Sequence, residues 1–125
     1  MGKITIYNVK NEEHTGPGVF YCGRGSALGN PYTHIKDRET KAKYVVRNRD
    51  EAIDRYEQYF NVMYGHNRDF TEAFDRIYDY YASGRDVYLG CYCYPQRCHC
   101  DIIANNLRKA LIREKIKERS AKKAL

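Results

Sequence analysis

The feature that most constrains this chain is a short apolar run, Asp86–Cys93 (Asp-Val-Tyr-Leu-Gly-Cys-Tyr-Cys), set between segments of helical period. A run of this length bounded by turn residues reads as a buried strand, and a buried strand needs helices to cover it. Upstream, Asn48 and Glu51 stand at capping-box spacing before Ile53, Tyr56, Phe60 and Met63, which recur at helical intervals. Gly65-His66-Asn67 breaks that helix, and Phe70, Phe74, Ile77 and Tyr81 mark a second, stopped by Ser83-Gly84. Downstream, Ile103, Leu107, Ala110 or Leu111, and Ile116 predict a last helix with those positions on one face. At the other end Lys3–Val9 alternates and is β-branched, and Val19–Cys22 is a second short strand. The order β, β, α, α, β, α predicts an α/β fold: a small, open, mostly parallel sheet flanked by helices. The expected organisation is a single three-layer-like domain over residues 1–114, with a basic helix end or tail over 115–125.

Composition excludes several classes. The 125 residues are 42% hydrophobic and 30% charged, so the chain is neither a disordered tail nor a membrane protein. No apolar run approaches the roughly 20 residues that span a bilayer. Met1-Gly2-Lys3 leads into a strand rather than the apolar core of a signal peptide, which makes the cytoplasm the expected location. The net charge of +6 is local: Arg108–Leu125 holds eight Lys or Arg and two Glu, and the preceding residues are balanced. A basic helix end complements the helix dipole. It also makes nucleic acid a candidate partner through Arg108–Lys123.

Five cysteines could suggest a disulfide scaffold, but the number is odd and four of them crowd into Cys91–Cys100. Bridges there would close only tiny loops, so these are read as thiols in a reducing compartment.

Two segments could carry chemistry. The first is Gly23-Arg24-Gly25-Ser26-Ala27-Leu28-Gly29-Asn30-Pro31. Glycines let backbone N–H groups approach an anion, Arg24 can grip a phosphate or carboxylate, and Asn30, held extended before Pro31, can reach a base or sugar. Ligand-binding roles are therefore expected at Gly23, Arg24, Gly25, Ser26, Gly29 and Asn30. The loop matches neither the P-loop nor the dinucleotide fingerprint, and a plain tight turn would need the same glycines. His34, just past it, is near enough in sequence to join the site, whereas His14 and His66 fall in other loops.

The second is Cys91-Tyr92-Cys93-Tyr94-Pro95-Gln96-Arg97-Cys98-His99-Cys100-Asp101. Near a helix N-terminus and beside Arg97, Cys98 is the expected reactive thiolate, with His99 as general acid or base and Asp101 capping the helix or orienting a hydroxyl. Tyr92 and Tyr94 can stack on a planar ligand. Metal is the competing use of Cys91, Cys93, Cys98 and Cys100. Against it, the spacing is not that of a zinc knuckle, and on one helix Cys98 and Cys100 would diverge by about 200°. No metal or other cofactor is therefore expected. Both segments follow strand ends, and open α/β sheets bind ligands outside the carboxyl ends of their strands, which joins the two into one expected site.

Together the segments resemble a small family of bacterial and phage proteins, domain of unknown function 4326. Its members pair a Gly-Arg-Gly-Ser-x-x-Gly-Asn-Pro loop with a later Leu-x-Cys-Trp-Cys-x-Pro-x-x-Cys-His-Gly-Asp segment. Here these are Gly23–Pro31 and Leu89–Asp101, with Tyr92 in place of the Trp and Cys100 in place of the Gly. The resemblance implies a bacterial or phage origin, hence host cytoplasm, and carries no activity. The expected function is binding of a nucleotide- or phosphosugar-like small anion between the segments, with hydrolysis or transfer as the reaction class if there is one. The alternatives are a non-catalytic accessory protein binding a host protein or nucleic acid through its tail, and a zinc-stabilised module.

Overall fold

The computed structural model describes residues 2–33 and 44–124, with side chains as far as Ala121. His34 lies outside the described residues. Five strands and three helices follow in the order β1 (Ile4–Asn8), β2 (Val19–Tyr21), β3 (Tyr32–Thr33), β4 (Tyr44–Val45), α1 (Arg49–Met63), α2 (Arg68–Ala82), β5 (Val87–Cys91) and α3 (His99–Ala124). The main sheet is open, three-stranded and wholly parallel, ordered β1-β5-β2. The fold is thus the small α/β arrangement expected from the pattern of periods. The minor parallel pair β3–β4 was not expected, and two-residue strands leave no periodicity to read.

The apolar run at β5 is the central strand. Val87, Leu89 and Cys91 point to one face and are fully buried, joined there by Ile4, Ile6 and Phe20 from the flanking strands. All three helices pack over this face. Phe70, Phe74, Ile77 and Tyr81 of α2, Ile53, Tyr56 and Phe60 of α1, and Ile103, Leu107 and Leu111 of α3 form one cluster with it. Each set recurs at three- or four-residue steps, the spacing that puts side chains on one side of a helix. Asn48 and Asn67 cap α1 and α2, accepting the backbone N–H of Glu51 at 2.8 Å and of Phe70 at 3.0 Å.

The opposite face is covered by the connection between β1 and β2. His14, on that connection, stacks on Tyr88 of β5 with ring centroids 4.6 Å apart and meets Tyr7 edge-on at 4.6 Å. The third layer of the domain is this strap rather than a helix.

Two local expectations fail. β5 ends at Cys91, so Cys93 lies in the following turn and not on the strand. Ile116 does not continue the buried face of α3: it is 56% exposed, and every described side chain from Ile112 to Ala121 faces solvent. α3 outruns the sheet it packs on, and among the described residues nothing covers its side chains from Lys115 to Ala121. No described helix is long and apolar enough to cross a membrane.

Candidate functional site

Because β1, β5 and β2 are parallel, their carboxyl ends share one edge of the sheet. The Gly-rich loop leaves β2 there and the Cys segment leaves β5 beside it. They touch directly: His99, the first residue of α3, lies against the backbone of Cys22 with its Nε2 on the Cys22 carbonyl. A carbonyl can only accept, so the Nε2 nitrogen carries the proton. Burial pushes the His99 pKa down, against the hydrogen bond to Cys22, which keeps the ring neutral.

The Gly-rich loop forms two consecutive turns, closed by Ser26 N–H to the Gly23 carbonyl and Gly29 N–H to the Ser26 carbonyl, each at 3.1 Å. Gly25 has φ +93°, a conformation that side-chain-bearing residues rarely adopt. At Gly23 a Cβ would sit 2.3 Å from the Tyr21 hydroxyl, so the ring that folds back over the loop would have to move aside. Leu28 is buried, and the Tyr56 hydroxyl donates to its carbonyl at 2.7 Å.

Several loop groups expected to face a ligand make hydrogen bonds within the loop or from it to α1 and β3. The Asn30 amide is buried, donating to Ala52 O at 3.2 Å and accepting from Tyr32 N–H at 2.9 Å. The Ser26 hydroxyl donates to the Gly23 carbonyl, and Arg24 Nη2 donates to Tyr32 O at 2.8 Å.

The Cys segment turns back at Tyr94–Pro95, a cis peptide, with Gln96 N–H bonded to the Cys93 carbonyl at 2.9 Å. Asn8, at the end of β1, holds this turn by donating from Nδ2 to the carbonyls of Tyr92 and Tyr94, both at 3.1 Å. Arg97 forks across to Asp50 at 3.2 Å and Asp54 at 3.3 Å on α1. It is therefore directed at carboxylates, not at Cys98.

Cys98 is the N-cap of α3 rather than a helical residue. Its Sγ accepts from Cys100 N–H at 3.3 Å, while Asp101 reaches back with Oδ2 to accept from Cys98 N–H at 3.0 Å. This is a capping box with sulfur in the usual hydroxyl's place. The divergence of about 200° expected from helical spacing does not arise, because a cap side chain bends towards the first turn. Sulfurs of Cys91, Cys98 and Cys100 instead lie within 4.8 Å of one another, with Cys91 and Cys98 at 3.4 Å.

The thiols of this cluster shift one another's acidity. Hydrogen bonds from Cys100 and Cys98 hold the Cys91 thiol well below its usual range, and a bond from Cys98 lowers Cys93. At Cys98 the Cys100 bond acts downward, but those to Cys91 and Cys93, with burial, push the thiol up. Bonds to Cys22, Cys91 and Cys98, then burial, raise Cys100. The Cys98 thiol donates to the Cys91 sulfur at 3.4 Å. All of Cys98, His99 and Cys100 are buried.

What the edge of the sheet presents outward is aromatic. Tyr92 is 54% exposed and Tyr94 and Tyr21 are each 44% exposed. The Tyr21 and Tyr92 rings meet at 6.2 Å, and Lys10 Nζ lies 5.7 Å from the Tyr92 centroid. Sequence reasoning missed Asn8, Lys10 and Tyr21. The strand-end rule would have found them had it been applied to β1 and to the last residue of β2.

The family model described as Domain of unknown function (DUF4326) matches residues 7–109, a span that holds both segments, α1, α2 and the first turns of α3. No match was found among curated proteins or among solved structures.

Proposed function

Since the chain belongs to this family, whose description carries no activity, we propose from the geometry that it binds a nucleotide- or phosphosugar-like ligand at the carboxyl edge of its parallel sheet. The observation that carries this is the exposed Tyr21–Tyr92 pair with Lys10 beside it, directly against the Gly-rich loop. A planar group stacks on Tyr92 or Tyr94, and the anionic part lies towards Lys10 and the loop. The Gly23–Gly29 glycines serve by letting the loop fold tightly under the Tyr21 ring. Arg24 and Asn30 act mainly by fixing the loop to β3 and α1.

The reading favours binding over catalysis. Cys98, His99 and Asp101 each hold the fold together at the start of α3. Hydrolysis or transfer at a glycosidic or phosphoester bond remains the class to assay first. Thermal shift with a panel of nucleotides and sugar phosphates tests the proposal. At least one should raise the melting temperature, and Tyr92→Ala and Lys10→Ala should each weaken that effect about tenfold. No shift with any member of the panel overturns it.

A second reading rests on the exposed end of α3. Its described side chains from Ile112 to Ala121 are all solvent-facing and include Arg113, Lys115, Lys117 and Arg119, part of the chain's excess positive charge. Phosphate contact there would give nucleic-acid binding that falls steeply with salt. Retained binding after removal of residues 113–125 would eliminate it.

A further inference from the structure

We propose that Cys91, Cys98 and Cys100, with Cys93 as the fourth ligand, bind one tetrahedral metal ion of the zinc class. The inference is independent of the ligand reading above, since these sulfurs lie under the sheet edge and not on its aromatic surface.

Three observations carry it. The first is convergence. A zinc–thiolate bond of about 2.3 Å places tetrahedral sulfurs roughly 3.8 Å apart. Cys91 and Cys98 are 3.4 Å apart, and all three buried sulfurs fall within 4.8 Å. Changes in sulfur separation of up to about 1 Å bring them to ligand spacing. The second is access to a fourth donor. Cys93, half-buried on the turn above, has its thiol in hydrogen-bonding contact with Cys98, and it gives the ion a route from solvent. The third is charge. Four thiolates around a divalent ion leave two negative charges. The N-terminus of the 26-residue helix α3 faces them through Cys100 N–H, and Arg49 lies against Cys93.

Thiol packing alone accounts for burial, since Cys is among the most buried residue types. It does not account for convergence. Three donors come from a strand end, a helix cap and a first helical turn, and the backbone brings them to one point, with Cys93 on the turn between.

The test uses the full chain purified under reducing conditions. Elemental analysis should give about one zinc per chain. Cobalt added to stripped protein should develop the visible bands of a tetrahedral thiolate site. Cys91→Ser, Cys98→Ser and Cys100→Ser should each weaken binding at least tenfold, and Cys93→Ser should do so with the fold intact. Should the buried variants fail to fold, the wild type still decides: zinc should slow alkylation of Cys93 at least tenfold. Metal-free protein with no cobalt bands and no protection of Cys93 overturns the proposal, as does a Cys91–Cys98 disulfide in the protein as isolated.

Discussion

His99 donates a hydrogen bond from Nε2 to the carbonyl of Cys22, tying the first residue of α3 to the end of β2. Through this one contact the Cys segment and the Gly-rich loop, about 70 residues apart in sequence, become a single piece of structure. The ring is wedged edge-on against Tyr56 at 5.0 Å, and Tyr56 in turn reaches the loop at Leu28. The same residues hold the carboxyl edge rigid beneath its exposed tyrosines.

Removing the imidazole should therefore be costly. His99→Ala leaves the Cys22 carbonyl unpaired and a cavity beside Tyr56, and should lower stability by about 2–4 kcal/mol in urea unfolding. His99→Gln, which can still donate, should recover part of that loss. Equal losses in the two variants would show that the hydrogen bond contributes nothing.

Tyr56→Phe removes only the hydroxyl that donates to Leu28. It should cost about 1–2 kcal/mol, because a buried carbonyl loses its partner while the ring stays packed. Amide exchange across residues 23–30 should speed up more than exchange in α2. Uniform acceleration would mean that the bond does not anchor the loop.

Asp101→Ala breaks the return half of the capping box at α3 and should cost about 1 kcal/mol, with helix content slightly reduced by circular dichroism. Asp101→Asn keeps an acceptor and should cost less. Ligand-dependent thermal shift should survive both substitutions, as the carboxylate is directed at Cys98 N–H.

The far end of α3 should behave in the opposite way. Ile116→Glu places a charge where the side chain is already exposed, so stability should change by no more than about 0.5 kcal/mol. Ile103→Glu, at a fully buried position of the same helix, should abolish folding. A large effect at Ile116 would mean that this end is covered in solution.

Metal removal offers a fifth check. If the cysteine cluster is loaded, a strong chelator should lower the melting temperature, and restored zinc should return it, since binding to the folded state alone stabilises by mass action. Identical melting with and without chelator would leave the cluster as packing.

Secondary structure and fold class were legible because they depend on local rules. Asn48 and Asn67 cap helices by side-chain reach over three residues. The steps Phe70, Phe74, Ile77 and Tyr81 put four side chains on one face whatever they pack against. The run Val87–Cys91 is too apolar and too short to be anything but a covered strand. The strand-end rule correctly joined the Gly-rich loop to the Cys segment, as it needs only that the strands be parallel.

What sequence could not decide was the direction of each side chain where the chain leaves regular structure. Spacing left open whether Cys98 is helical or a cap; it is the cap, and a cap turns its sulfur onto Cys100 instead of away from it. Arg97 stands next to Cys98 in sequence but spans to α1, because Asp50 and Asp54 lie within its reach. Ile116 keeps the helical period, but the sheet ends before it. The apolar run Asp86–Cys93 thus determined by itself that this chain would build helices over a buried central strand. Only the tertiary structure decided that three sulfurs meet at the end of that strand, since convergence depends on backbone paths from β5, the turn and α3 that no local spacing encodes.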